Sequence, residues 1–317
     1  MQIPSHDALS VLTGPVDPAR FLRDHWERRS LYMPGAGRAW PFTFDHQRFF
    51  SALAASPHVK VAFRDEQGQH REVQITADQA QKMYQAGLSI CAAHLEKGDE
   101  DLKAFVDELG RSVAPYGQFN LNSYLSPSDK GFGIHFDNHS VWVLQVEGTK
   151  RWFYADEPEI RAPITNCVYP LSRPSLSLPW YDVPHPDGAV LHEVVLTPGD
   201  VLYIPAGTWH KTQASGPSLS LTLAQNTPSA SQYILGVLAA AALMSDEGRQ
   251  FVPPILRAGD ASDAADPFRT AIKGALDMLR TEIDRIDVDQ LANLRLKEGA
   301  PPPQGEDLLA RLLSGSR

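Results

Sequence analysis

Apolar positions along the 317-residue chain change their period several times, and each change marks a different kind of structure. Phe21, Leu22 and Trp26 recur at helical spacing after the start signal Asp17-Pro18, so residues 17–30 predict an amphipathic helix. Residues 58–63 and 70–75 alternate on either side of Arg64-Asp65-Glu66-Gln67-Gly68, the pattern of a hairpin. Thr76-Ala77-Asp78-Gln79 opens another helix, and residues 99–109 read as a further one. From Asn120 to about Ala224 the chain becomes short apolar runs, such as 141–146 and 201–204, punctuated by Pro, Gly and Asp. Residues 158–189, with seven prolines and the pair Trp180-Tyr181, read as an insertion between core strands that could cover a pocket mouth. Beyond Asn226-Thr227-Pro228 the period is helical again. Residues 231–244 are apolar nearly all round and so expect burial on more than one side. Asp266-Pro267 reads as an N-cap with proline at the first helical position, and Phe268, Ile272, Leu276, Leu279, Ile283 and Ile286 follow as one stripe. Pro301-Pro302-Pro303-Gln304-Gly305 is a stiff linker to a last short helix around 308–313.

This order predicts a mainly β fold, a double-stranded β-helix (jelly-roll) core with helices on its outside and a helical C-terminal region after it. The boundary falls near residue 228, giving a core domain over 1–228 and a second region over 229–317. Composition agrees: 43% hydrophobic and 21% charged residues describe an ordinary globular chain. No apolar run approaches the roughly 18–20 residues of a membrane span, and the N-terminus shows no secretory pattern. Cys91 and Cys167 are too far apart for a Cys-x-x-Cys pair, so two free thiols and a cytoplasmic location are expected. The formal charge of −9 argues against a general nucleic-acid footprint. An ordinary solvated acidic surface accounts for that charge most simply, while an acidic rim would suit a Lys- or Arg-rich protein partner.

The chemistry concentrates in two stretches, Phe132-Gly133-Ile134-His135-Phe136-Asp137 and Pro198-Gly199-Asp200 through Trp209-His210. Residues two apart on a strand face the same side, so His135 and Asp137 can aim inward together. The turn at 198–200, a short buried strand over 201–204 and the turn Pro205-Ala206-Gly207 then deliver His210. Two imidazoles and one carboxylate are the ligand set that leaves three positions open on a non-haem Fe(II). Alternatively, His135 and His210 are barrel histidines with satisfied hydrogen bonds and Asp137 caps a turn. His139 shares the strand parity and is either a further ligand or a residue lining the pocket. His185 and His192 read as turn or surface residues, and Phe136, Trp142 and Trp209 as core before substrate contacts.

The run Asn122-Ser123-Tyr124-Leu125-Ser126-Pro127, Gly131-Phe132, His135-Phe136-Asp137, 143–148 and Lys150-Arg151-Trp152 resembles the JmjC/cupin-type 2-oxoglutarate oxygenases. Within them it is similar to the bacterial cupin-4 branch related to ribosomal protein hydroxylases, as is the opening segment 21–31. The resemblance spans about 17–226; beyond 230 it is one of layout. It implies a jelly-roll JmjC/cupin fold, with Fe(II), 2-oxoglutarate and O2 as cofactor and co-substrates. His135, Asp137 and His210 are then the metal ligands and catalytic centre. A cation must hold the distal carboxylate of 2-oxoglutarate. The resemblance implies Lys150 for that contact; Arg151 would take it if the register slips by one. Tyr124 and Asn122 match positions lining the co-substrate pocket in relatives. Thr222 and Asn226 are further candidates, and Ala224 falls where the family often has a small hydroxyl residue.

The resemblance implies a hydroxylase of a protein or peptide side chain, with a ribosomal protein among the candidates. A hydroxylase of a small metabolite or natural-product peptide is the alternative, and a non-catalytic cupin-like binding module a third. Related hydroxylases carry a dimerisation segment and a winged-helix-like module where this chain has its helical tail, a similarity of position that implies a homodimer; the alternative is a helical cap packing on the barrel.

Overall fold

A computed structural model describes residues 8–66, 70–112, 118–169, 183, 185–226, 228–254 and 265–291. Two compact units divide near residue 227: the first holds the sheets, the second the C-terminal helices. In chain order the first begins with α1 (Ala8–Thr13), α2 (Pro18–Asp24), β1 (Leu31–Met33) and α3 (His46–Ala52). Then come β2 (His58–Arg64), β3 (His70–Ile75), α4 (Ala77–Gln85), β4 (Ser89–Ala93) and α5 (Glu100–Ser112). The jelly-roll strands follow: β5 (Gln118–Ser126), β6 (His135–Phe136), β7 (Ser140–Glu147), β8 (Lys150–Ala155) and β9 (Cys167–Val168). They continue as β10 (Leu191–Leu196), β11 (Val201–Ile204), β12 (His210–Ala214) and β13 (Ser218–Asn226).

All pairings among these strands are antiparallel. One sheet has eight strands in the order β1-β11-β7-β13-β5-β4-β2-β3, the other five in the order β10-β8-β12-β6-β9. This is the expected double-stranded β-helix, with the two sheets facing one another. Between them lies a small apolar cluster of Val141, Val143, Trp152, Leu196, Leu202 and Ile204. The larger core sits on the opposite side of the eight-stranded sheet, where Leu121, Leu125, Trp142, Leu144 and Leu221 pack against Phe21, Phe49 and Phe105 from the helices. Burying aromatic and aliphatic side chains on that side holds the sheet rigid while the inner face is left free for polar groups.

Several expectations need correction. The helix over 17–30 ends at Asp24; Asp17 caps it by accepting from the Arg20 N–H, and Phe21 is buried, but Glu27 turns into the left-handed region at φ +52°. The strand carrying His135 stops at Phe136, so Asp137 lies just past it. Cys167 and Val168, inside the proline-rich stretch, pair with Phe136 and His135 and thus belong to the five-stranded sheet. Residues 170–182 and 184 of the insertion lie outside the described residues, as does the expected final helix around 308–313.

In the second unit α6 (Ala230–Met244), α7 (Asp246–Arg249) and α8 (Asp266–Arg285) pack on one another. Ser229 and Gln232 form a capping box that starts α6. Asp266 is the first helical residue of α8, one position later than the N-cap role expected for it. Of the apolar α6, Leu238 and Ala240 are buried, whereas Leu235, Leu243 and Met244 are exposed.

A candidate metal centre and the pocket behind it

β12 brings His210 directly opposite His135 on β6, with ring centroids 4.1 Å apart. Asp137 completes the group: its Oδ2 lies 3.8 Å from His210 Nε2, and one donor atom from each of the three residues falls within 4.8 Å of the others. Each imidazole is fixed through its other nitrogen. His135 Nδ1 donates to the Gly133 carbonyl at 2.7 Å and His210 Nδ1 to the Thr208 carbonyl at 2.9 Å. That leaves Nε2 of each ring as the atom able to coordinate, the usual way a protein orients a ligating histidine. Burial, reinforced by the neighbouring His135, pulls the His210 pKa down to about 4, so the ring is neutral at physiological pH. Two imidazoles beside a carboxylate suit a divalent cation. Among the described residues His139 is outside this group; its Nδ1 meets the Asn138 side chain at 3.1 Å.

The turn before His210 also holds Asp137. Gly207 N–H donates to the Asp137 carbonyl at 2.8 Å. Gly207 sits at φ +77°, and a Cβ there would lie 1.8 Å from the Ile160 carbonyl oxygen, so the turn closes only around glycine. Behind it stands a buried network that local patterning does not reveal. Glu27 N–H donates to the Tyr203 hydroxyl at 3.0 Å, and Ser140 Oγ accepts from the Ala206 N–H at 3.0 Å. The Glu27 carboxylate is bonded to Ser140 and to the Ala206 backbone, though burial still pushes its pKa up. Glu27 thereby braces both loops that carry the candidate ligands, from more than a hundred residues away in sequence.

Deeper in the barrel, β8 alternates as its register requires: Lys150 and Trp152 are buried, while Arg151 points out and pairs with Glu193 at 3.3 Å. Lys150 is 1% exposed, and its Nζ lies 5.6 Å from the Tyr124 ring centroid and 5.9 Å from that of Phe132. Burial lowers its pKa to about 8. Among the described residues no carboxylate pairs with it. Tyr124 stands opposite Ser220, and Asn122 opposite Thr222, on the same sheet face; Thr222 is 6% exposed. Burial raises the Tyr124 pKa well above the ordinary phenol value, so it stays a neutral donor. Trp152 stacks on the His210 ring at 5.8 Å. Phe136 packs on Trp209, and Trp142 lies in the large outer core, so these three are structural.

A description of the JmjC domain matches residues 103–233. Human ribosomal oxygenase 1 is 27% identical over 90% of this chain and 46% of its own length. The bifunctional lysine-specific demethylase and histidyl-hydroxylase NO66 of Drosophila willistoni is 32% identical over 62% of this chain and 27% of its own. The chain thus spans less than half of either protein. Among solved structures, Escherichia coli YcfD, described as a ribosomal oxygenase in complex with cobalt and 2-oxoglutarate, superposes with a TM-score of 0.56 at 18% identity. That match covers 82% of this chain and 66% of YcfD and establishes the shared fold. Domain match, fold and the His-Asp-His group agree: the chain carries a JmjC domain over residues 103–233 and is related to the ribosomal oxygenases.

Proposed function

We propose that the chain is an Fe(II)- and 2-oxoglutarate-dependent hydroxylase acting on a side chain of a protein, with ribosomal proteins as the substrate class. One observation carries this reading: a buried lysine without a counter-ion stands in the same barrel as a three-residue metal site. In this reading His135, Asp137 and His210 hold the metal through two Nε2 atoms and a carboxylate oxygen. Lys150 accepts the distal carboxylate of 2-oxoglutarate as its counter-ion, helped by the Tyr124 hydroxyl, Asn122 and Thr222. Iron with 2-oxoglutarate and O2 supplies the oxidising power needed for an unactivated C–H bond. The protein's own work is to orient that bond, keep the His210 imidazole neutral and exclude water through Trp152 and the apolar inner wall.

The names of the relatives support a protein substrate, since ribosomal oxygenase 1 and YcfD are both described as ribosomal oxygenases. A homodimer through the second unit is supported by exposed Leu235, Leu243, Met244, Leu276 and Ile283 on its helices. The free, buried thiols Cys91 and Cys167 fit a cytoplasmic location. No described helix is long and apolar enough to cross a membrane.

Incubating the protein with Fe(II), 2-oxoglutarate and proteins extracted from bacterial ribosomes tests the reading. Mass spectrometry should find one residue that has gained a single oxygen atom. Sustained conversion of 2-oxoglutarate with every ribosomal protein unmodified would shift the assignment to a small metabolite or a natural-product peptide.

A further inference from the structure

We propose that Tyr154 and His192 hold a hydrogen-bonding group of the substrate side chain beside the candidate metal group, and so couple 2-oxoglutarate turnover to oxidation of that side chain. The proposal rests on the protein-hydroxylase reading and adds two residues that the metal and co-substrate sites do not use. The register of the five-stranded sheet places them. His135 on β6 pairs with His210 on β12, His210 pairs with Tyr154 on β8, and Tyr154 pairs with His192 on β10. Residues directly opposite one another in an antiparallel sheet share a face. His192, Tyr154, His210 and His135 therefore form one row on the face that carries the candidate ligands. Packing agrees with the register: Tyr154 lies against the inner cluster that contains Trp152, and so does Val194, two residues on from His192. With strands about 4.8 Å apart, Tyr154 stands one strand from His210 and His192 stands two.

The row is closed at one end and open at the other. His210 is 3% exposed, Tyr154 is half-buried, and His192 is exposed on β10, the edge strand of its sheet. A substrate chain can thus approach the candidate ligands from the β10 side. The two rings lie 6.0 Å apart at 42°. Among the described residues neither the Tyr154 hydroxyl nor a ring nitrogen of His192 has a hydrogen-bond partner. Their neighbours are all committed. Tyr32, in the same cluster, donates its hydroxyl to Asp200 Oδ2 at 3.2 Å, and His135 and His210 are each fastened through Nδ1 to a carbonyl. A phenol and a neutral imidazole each offer one donor and at least one acceptor. A substrate side chain that covers them without bonding to them is penalised, so the pair favours a polar side chain over an apolar one. Held at that end, the side chain keeps its C–H bond aimed at the metal group. The C–H bond, 2-oxoglutarate and O2 then give C–OH, succinate and CO2 in equal amounts.

Tyr154→Phe and His192→Phe keep each ring and remove its polar atoms. With the ribosomal protein that the wild type oxidises fastest, each variant should lower kcat/KM for that protein about tenfold. Succinate formed per oxygen atom delivered to the protein, about one in the wild type, should rise to about three as the C–H bond loses its alignment. The KM for 2-oxoglutarate and the Tm should not move. A purely structural role would lower succinate and product together and leave their ratio alone. An unchanged ratio in both variants would overturn the proposal while leaving the hydroxylase assignment standing. A wild type that converts 2-oxoglutarate and oxidises no ribosomal protein would remove the protein-hydroxylase reading and the pair with it.

Discussion

Burial without a counter-ion decides what Lys150 does at different pH values. Its pKa falls from 10.5 to about 8 because the barrel strips water from the ammonium group. Above pH 8 the folded chain releases that proton while the unfolded chain keeps it until about 10.5. Stability of the free protein should therefore rise across this window, as urea unfolding between pH 7.5 and 10 can read. Binding of 2-oxoglutarate has the opposite sign, since its carboxylate needs the charged form: affinity should fall as pH climbs past 8. Lys150→Met keeps the volume and removes the charge. We expect it to weaken 2-oxoglutarate by on the order of a hundredfold, near the ~3 kcal/mol of a charge-assisted contact, with metal affinity unchanged by calorimetry. His135→Ala should do the reverse and abolish metal binding first.

At the scale of elements, the two ligand-bearing loops depend on a turn and a hydroxyl. Gly207→Ala places a Cβ against the Ile160 carbonyl at a positive φ. It should cost about 1–3 kcal/mol and loosen Asp137, seen as a lower Tm together with weaker Co(II) binding. Ser140→Ala strips a buried donor from the Glu27 carboxylate and an acceptor from the Ala206 N–H. A loss of about 1–3 kcal/mol is expected in chemical denaturation, and a neutral result would show that the network does not hold the loops. These elements also show what the sequence could reveal. The hairpin of β2 and β3, the helix after Thr76 and the strand over 201–204 were legible because local period and turn residues settle them. β6 is two residues long, too short for any period, so Asp137 was misplaced onto it. Cys167–Val168 was hidden in a proline-rich stretch because its pairing with β6 is set by tertiary contact. The Glu27 network joins positions 27, 140, 203 and 206, and no local pattern connects them. The three candidate donors could be grouped from sequence because they lie in two compact motifs, whereas the choice of Lys150 over Arg151 depended on a register that only the fold supplies.

For the whole molecule, the apolar character of α6 read from sequence meets a single-chain structure in which much of it is uncovered. Leu235 is 63% exposed, while Leu238 and Ala240 are buried. Along the stripe of α8, Leu276 and Ile283 are likewise exposed. A second copy would cover these side chains. Sedimentation should give a dimer, and Leu235→Glu with Ile283→Glu should give a folded monomer; a wild type that stays monomeric at micromolar concentration would contradict the homodimer. The acidic net charge of −9 suits association with basic ribosomal proteins, and raising salt should slow it.

Three protein ligands and one buried lysine, in this proposal, make an iron and 2-oxoglutarate site. Anaerobic titration of 2-oxoglutarate into the Fe(II)-loaded protein tests it most directly, followed by the visible charge-transfer absorption of a 2-oxo acid chelated to Fe(II). Wild type should develop the band saturably, His135→Ala should show none, and Lys150→Met should need on the order of a hundredfold more 2-oxoglutarate to reach it. A wild type without the band, or a titration that both substitutions leave unchanged, would contradict the assignment.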